Sequence, residues 1–263
     1  LMTWAGKRQF VYLSLVLLVI LGVLFALIYP RISVPATCTD GKQNGAETGV
    51  DCGGTCSLMC MSDTRELIVV WARAFEVAPG VYHVAAYIEN QNVDAAVKSV
   101  PYQFKLYDER NVVITQREGM ASILPNGHTV IFEEALSTGG NRIPKITRFE
   151  FTKQPIFWKT SAIYKEARVV ESDKGLGSLE TVPKAYATLS NESFIDVGKF
   201  PVIAVVYDQL DNAIGVSRTI VDGLPKQTEV KVNFSWLYPF GKNAQTLEIL
   251  PIIDPFTLGE KLY

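Results

Sequence analysis

Residues 100–116 read VPYQFKLYDERNVVITQ, and residues 200–217 read FPVIAVVYDQLDNAIGVS. In the first stretch Phe104 and Leu106 alternate with polar neighbours, the period of a strand with one face on a core. In the second, Val205 and Tyr207 stand two apart along a strand, so each set faces one side of a sheet. Tyr107-Asp108 recurs as Tyr207-Asp208. Asp108 with Asn111, and Asp208 with Asp211-Asn212, supply the side chains that turn a strand into a hairpin. The two stretches therefore predict the same strand–turn–strand unit, used twice.

Working outward, further residues recur at an offset near 100 residues. Val100-Pro101 answers Phe200-Pro201, and Leu124-Pro125 answers Leu224-Pro225. Val130 to Phe132 answers Val230 to Phe234, Ile88-Glu89-Asn90 answers Leu189-Ser190-Asn191, and Phe149-Glu150-Phe151 answers Leu247-Glu248-Ile249. Strands are expected over residues 82–89, 103–107, 112–116 and 129–133, rich in β-branched and aromatic residues and bounded by turn formers. After residue 31 the nearest approach to an amphipathic helix is residues 161–172. Short strands without helices between them predict a mainly β protein with two antiparallel, immunoglobulin-like or fibronectin-III-like sandwiches. Their expected limits are 66–152 and 182–263, with a linker over 153–181. Apolar Phe256, Leu258 and Tyr263 near the C-terminus are expected to pack on the second sandwich or to form a docking peptide.

Ahead of the β region, residues 10–29 (FVYLSLVLLVILGVLFALIY) carry no charge. At 1.5 Å per residue they make a helix roughly 30 Å long, a bilayer's hydrocarbon thickness. A signal-peptide core is shorter, so the reading is an anchor over residues 10–30, stopped by Pro30. Lys7 and Arg8 precede it and no acidic residue does. The positive-inside bias predicts a short cytoplasmic tail, residues 1–9, and an extracytoplasmic remainder, 31–263.

Residues 31–65 hold all four cysteines, Cys38, Cys52, Cys56 and Cys60, among glycines. An even count in one short segment outside the membrane predicts two disulfides. Three pairings exist and the spacing does not choose among them; Cys38–Cys56 with Cys52–Cys60 is preferred. Four thiolates on zinc is a lesser reading. Asp40, Asn44, Glu47 and Asp51 are oxygen donors in a glycine-rich loop, the chemistry calcium favours, but the spacing is not that of an EF-hand. The competing reading is a solvated loop with polar turn caps.

Two family resemblances follow from these residues. The pattern C-x-D-G-x-x-N-G-x-E-T-G-x-D-C-G-G-x-C resembles a small cysteine motif of secreted and surface proteins, a spacer or cap beside β-domains. Phe104-Lys105-Leu106-Tyr107-Asp108 resembles the signature of FxLYD domains, over about residues 67–152, with a diverged second copy. That resemblance implies an extracellular, often membrane-tethered sandwich with no assigned catalysis.

The remaining chemistry is sparse. Net charge is −2, which argues against a nucleic-acid partner. The two histidines, His83 and His128, lie in a strand and after an Asn-Gly turn and lack companions for a triad. Phosphate-binding loops, nucleophile elbows and zinc-protease motifs are missing from the sequence, so no enzyme, cofactor or small-molecule substrate is expected. Asn191-Glu192-Ser193 and Asn233-Phe234-Ser235 fit the N-glycosylation pattern. Binding residues are expected on loop tips: Asn90, Asn92, Asp94, Asn141, Asp208 and Asp211. The sequence therefore predicts a membrane-anchored protein that binds or spaces at the cell surface. The alternative is an accessory subunit of an envelope assembly, and a protein partner is expected in either case.

Overall fold

A computed structural model describes residues 4–32, 36–140, 142–240 and 243–258. The chain divides into two compact units, Leu1–Cys56 and Ser57–Tyr263.

In the first unit, α1 (Trp4–Ile32) contains one apolar stretch, Gly6–Tyr29, long and apolar enough to cross a membrane. Its large apolar side chains, Leu18 and Phe25 among them, are exposed. Pro30 does not stop the helix, which runs on to Ile32. A proline this near the end forfeits one hydrogen bond of the last turn and leaves the earlier ladder intact. In the cysteine segment Cys38 is bonded to Cys56 across a Cα separation of 5.7 Å. Cys52 and Cys60 are also disulfide-bonded, and no cysteine is free. Gly54 adopts φ 53°, and a Cβ there would lie 1.5 Å from the Ala46 carbonyl oxygen, so only glycine fits.

Among the described residues, every paired strand of the second unit is antiparallel, with a 3-10 turn (Met61–Asp63) and one short α-helix besides. The first sandwich comprises β1 (Ile68–Ala78), β2 (Val81–Asn90), β3 (Ala95–Tyr107), β4 (Val113–Ile123), β5 (Gly127–Ser137), β6 (Ile146–Phe151) and β7 (Phe157–Lys159). The second comprises β8 (Val169–Gly177), β9 (Lys184–Asn191), β10 (Phe200–Tyr207), β11 (Ala213–Val221), β12 (Glu229–Ser235) and β13 (Thr246–Pro251). Sheet orders are β1-β2-β5 and β4-β3-β6 in the first, and β8-β9-β12 and β11-β10-β13 in the second. These are the same topology written twice. The registers agree as well: Tyr107 faces Val113 and Ile146, and Tyr207 faces Ala213 and Thr246.

Register also corrects parts of the sequence alignment. Phe149 pairs with Phe104 as Ile249 pairs with Ala204, so Phe149 answers Ile249 and Glu150 answers Leu250; likewise Val130 and Phe132 answer Lys231 and Asn233, not Val230 and Phe234. Phe104 and Leu106 lie in the first core, but their counterparts in the second are Ala204 and Val206. Val205 and Tyr207 face the other way.

The segment 153–181 is not a linker throughout. β7 pairs with β3, and residues 57–59 pair with β7 in turn, extending the first sandwich at both ends of its expected range. β8 pairs with β9 in the second. Between them stands α2 (Ala162–Glu166), whose N-cap Ser161 accepts a hydrogen bond from the Tyr164 N–H at 3.2 Å. Part of the expected linker is thus taken up by strand pairing in β7 and β8, because its apolar residues have sheet edges to complete.

Each sandwich has its own core, around Phe104, Leu106 and Ile88 in the first and Phe200, Leu189 and Val202 in the second. A third core joins them. It contains Ala85, Tyr87, Val130 and Phe132 from β2 and β5, and Ile203, Val205, Ala213 and Val216 from β10 and β11. The central strands β2 and β10 are therefore buried on both faces, and the four sheets stack as consecutive layers. Near the C-terminus Ile253 and Leu258 lie against the second core, while Tyr263 lies outside the described residues.

A candidate binding surface along the seam between the sandwiches

The seam is built by alternation. On β1, Trp71, Arg73 and Phe75 point to it; on β2, His83, Ala85 and Tyr87; on β10, Ile203, Val205 and Tyr207. Trp71 stacks on Tyr87 with centroids 5.4 Å apart. At about 1.5–3 kcal/mol per large apolar side chain buried, Phe132, Ile203, Val205 and Val216 alone outweigh the polar contacts at the rim.

Those polar contacts fix the register of one sandwich on the other. Tyr87 donates its hydroxyl to Glu248 Oε1 at 2.6 Å, and Tyr207 donates to Oε2 at 2.8 Å. Burial, reinforced by this carboxylate, holds both phenols well above their ordinary pKa, so both remain donors. The Arg73 guanidinium donates to the Ala213 carbonyl at 3.0 Å and to Asn212 Oδ1 at 2.8 Å. Arg218 meets Glu134 at 3.1 Å and lies over the Phe132 ring. Both partners of that ion pair are more than a third exposed, which makes it worth about 0–1 kcal/mol. His83 Nδ1 accepts the Ala135 N–H at 3.1 Å, and burial lowers the pKa of the imidazole. Every strong acceptor here is matched to a donor. Chemically the arrangement fixes an angle between two domains.

The residues expected on loop tips divide. Asn90 and Asn92 are buried, not presented. Asn90 Nδ2 donates to the carbonyls of Ala95 and Leu124, both at 2.8 Å, and its Oδ1 accepts from Asn92. Asn92 ties down Arg65 through N–H and carbonyl. Two buried carbonyls need a donor at this turn, and an amide reaches both. Asp94 is exposed and ion-paired to Lys165 at 2.7 Å. Asn141 lies outside the described residues. Asp208 accepts from the N–H groups of Leu210 and Asn212, both at 2.8 Å, and the Asn212 bond chiefly holds its carboxyl below the usual range. Asp211 adopts φ 57°. Its hairpin carries Asn212 against Arg73, so this loop buttresses the seam.

Clefts open on both sides of the seam. One, of about 550 Å³, lies between the sandwiches and is lined by Asp94, Asn126, Tyr164, Lys165 and Arg168. Burial pushes Tyr164 up to about 12. The other, of about 440 Å³, runs along β1 from Ala72 to Glu76, beside Pro144, Lys145 and Ala213. Neither gathers a nucleophile, a base and an orienting acid.

In the cysteine segment the carboxylates of Asp40, Glu47 and Asp51 form no common ion-holding group among the described residues, although Asn44 bridges Asp40 and Glu47 and its buried Oδ1 has no hydrogen-bond partner. Asp51 accepts the Gly41 N–H with both oxygens, Asp40 accepts from Lys42 N–H and Asn44 Nδ2, and Glu47 accepts the Asn44 N–H. Hydrogen bonding from Asn44 is the leading reason the Asp40 carboxyl sits low. Among the described residues, one group of Cys, His, Asp and Glu side chains is close enough to hold an ion: Cys38, Glu47 and Cys56. Its two sulfurs are bonded to each other.

No protein-family model matches this chain, and no curated protein matches it either.

Proposed function

We propose that the chain is a single-pass membrane protein that holds two FxLYD-like sandwiches outside the cytoplasmic membrane as a stiff, non-catalytic mount for binding or spacing at the cell surface. The observation that carries this reading is the third core. A seam with Phe132, Ile203 and Val205 buried in it makes the two domains move as one body. The outward orientation rests on Lys7 and Arg8 ahead of the helix and on the disulfides behind it. The test is protease shaving of intact cells carrying the full chain with a C-terminal tag. Loss of the tag with α1 left in the membrane is the expected result; full protection overturns the orientation.

A second reading, an accessory subunit of an envelope assembly, is favoured by apolar loop tips. Phe194, Leu210 and Leu237 are 84%, 82% and 71% exposed. Side chains this apolar at loop tips suit contact with another protein. Purification from native membranes in mild detergent, with mass spectrometry of what accompanies it, decides between the two. A stoichiometric partner that is lost in Leu210→Asp identifies a subunit; a lone protein identifies a free-standing mount.

A further inference from the structure

The two glycosylation tripeptides sit in opposite environments. Asn191 is fully buried, donating to the carbonyls of Ile195 and Leu224 at 2.9 and 3.0 Å while its Oδ1 accepts from Ser193. Ser193, the third residue of that tripeptide, is buried too. A glycan on Asn191 would break a closed hydrogen-bond set and force a sugar into the core. Asn233-Phe234-Ser235 lies on β12, an edge strand of the outermost sheet. Asn233 and Ser235 are exposed, while buried Phe234 fastens the tripeptide to the core between them.

The position of Asn233 in the repeat adds an independent argument. Its strand partner is Tyr186, as Phe132 is partnered by Ala85 in the first sandwich. Phe132 and Ala85 are buried in the seam. The corresponding face of the second sandwich carries Lys231, Asn233 and Tyr186 and is covered by no described residue. A bulky hydrophilic group there meets only solvent.

We infer that Asn233 is an N-glycan acceptor and that Asn191, despite its matching tripeptide, is not. The donor class is a polyprenyl-diphosphate-linked oligosaccharide. Asn233 Nδ2 forms a bond to the anomeric carbon of the sugar. The bond from that carbon to the diphosphate oxygen breaks, the lipid diphosphate leaves with the electron pair, and one amide proton is released. The inference rests on the outward orientation proposed above.

The test is expression of the full chain in a host that glycosylates secreted proteins, followed by glycopeptide mapping of the folded, monodisperse fraction. Lys226→Asn, in an exposed turn, provides a positive control, since it completes an acceptor tripeptide with Gln227 and Thr228. The expected result is a glycan on Asn233 in most molecules, abolished by Asn233→Gln, with Asn191 bare. A glycan on Asn191 in the folded fraction overturns the inference. So does a bare Asn233 in a chain whose control position is modified. If the control is also bare, the orientation itself fails and the acceptor site falls with it.

Discussion

Asn90 and Asn191 close the same turn in the two sandwiches, each bridging two carbonyls from within the core. Removing such an amide strands buried acceptors at about 1–3 kcal/mol each. Asn90→Ala should therefore lower stability by about 2–4 kcal/mol, read as a shift of the urea midpoint. Asp94→Ala, which removes only an exposed ion pair, should stay within about 1 kcal/mol. Equal midpoints for the two variants would refute the bracket role. His83 offers a second test. Its folded pKa is depressed by burial, so the folded protein prefers the neutral ring. Stability should be complete above the unfolded value of about 6.5 and should fall as pH drops below it, because the unfolded chain then binds the proton more readily. Melting temperatures between pH 7.5 and 5 should show that slope, and His83→Gln should flatten it.

Strands show where sequence reasoning reached and where it stopped. β3 was legible because one face is polar: Gln103, bonded to Glu118, and Lys105, paired with Glu150, alternate with Phe104 and Leu106. β10 was legible as a strand but not in its facing. FPVIAVVY is apolar on both sides because both sides are buried, so periodicity could not say which set met its own core. That absence of a polar face was itself the available sign of a seam, and the aromatic-rich run of β2 carried the same sign. Asn90 was misplaced for a different reason. A turn-forming amide looks alike in sequence whether it faces water or caps a core. The seam suggests a direct experiment. Ile203→Gln with Val205→Lys transplants the polar pair found at positions 103 and 105. The joint should open while each sandwich keeps its own core, so calorimetry should resolve two transitions where the parent shows one. A single unaltered transition would remove the claim that the domains are coupled there. The cysteine loop yields a quieter expectation. With its carboxylates committed to their own N–H groups, adding calcium or a chelator should leave the melting temperature unchanged.

At the scale of the whole molecule, the seam joins unlike surfaces. The first sandwich contributes its β1-β2-β5 face and the second its β11-β10-β13 face. Such a head-to-tail contact has no internal reason to stop, since every added unit would offer the same plug and the same socket. The two outer faces do not repeat that contact, because polar residues stand at the positions that make it. The spare socket on β3 and β6 holds Gln103, Lys105 and Glu150 where the used one has Ile203, Val205 and Leu250. The spare plug on β12 holds Lys231 and Asn233 where the used one has Val130 and Phe132. Restoring the apolar residues at both ends, with Gln103→Ile, Lys105→Val, Lys231→Val and Asn233→Phe, should produce a polymer that lengthens with concentration in light scattering, where the parent does not. A handful of polar side chains on the two outer faces act as stoppers against open-ended growth through copies of this contact.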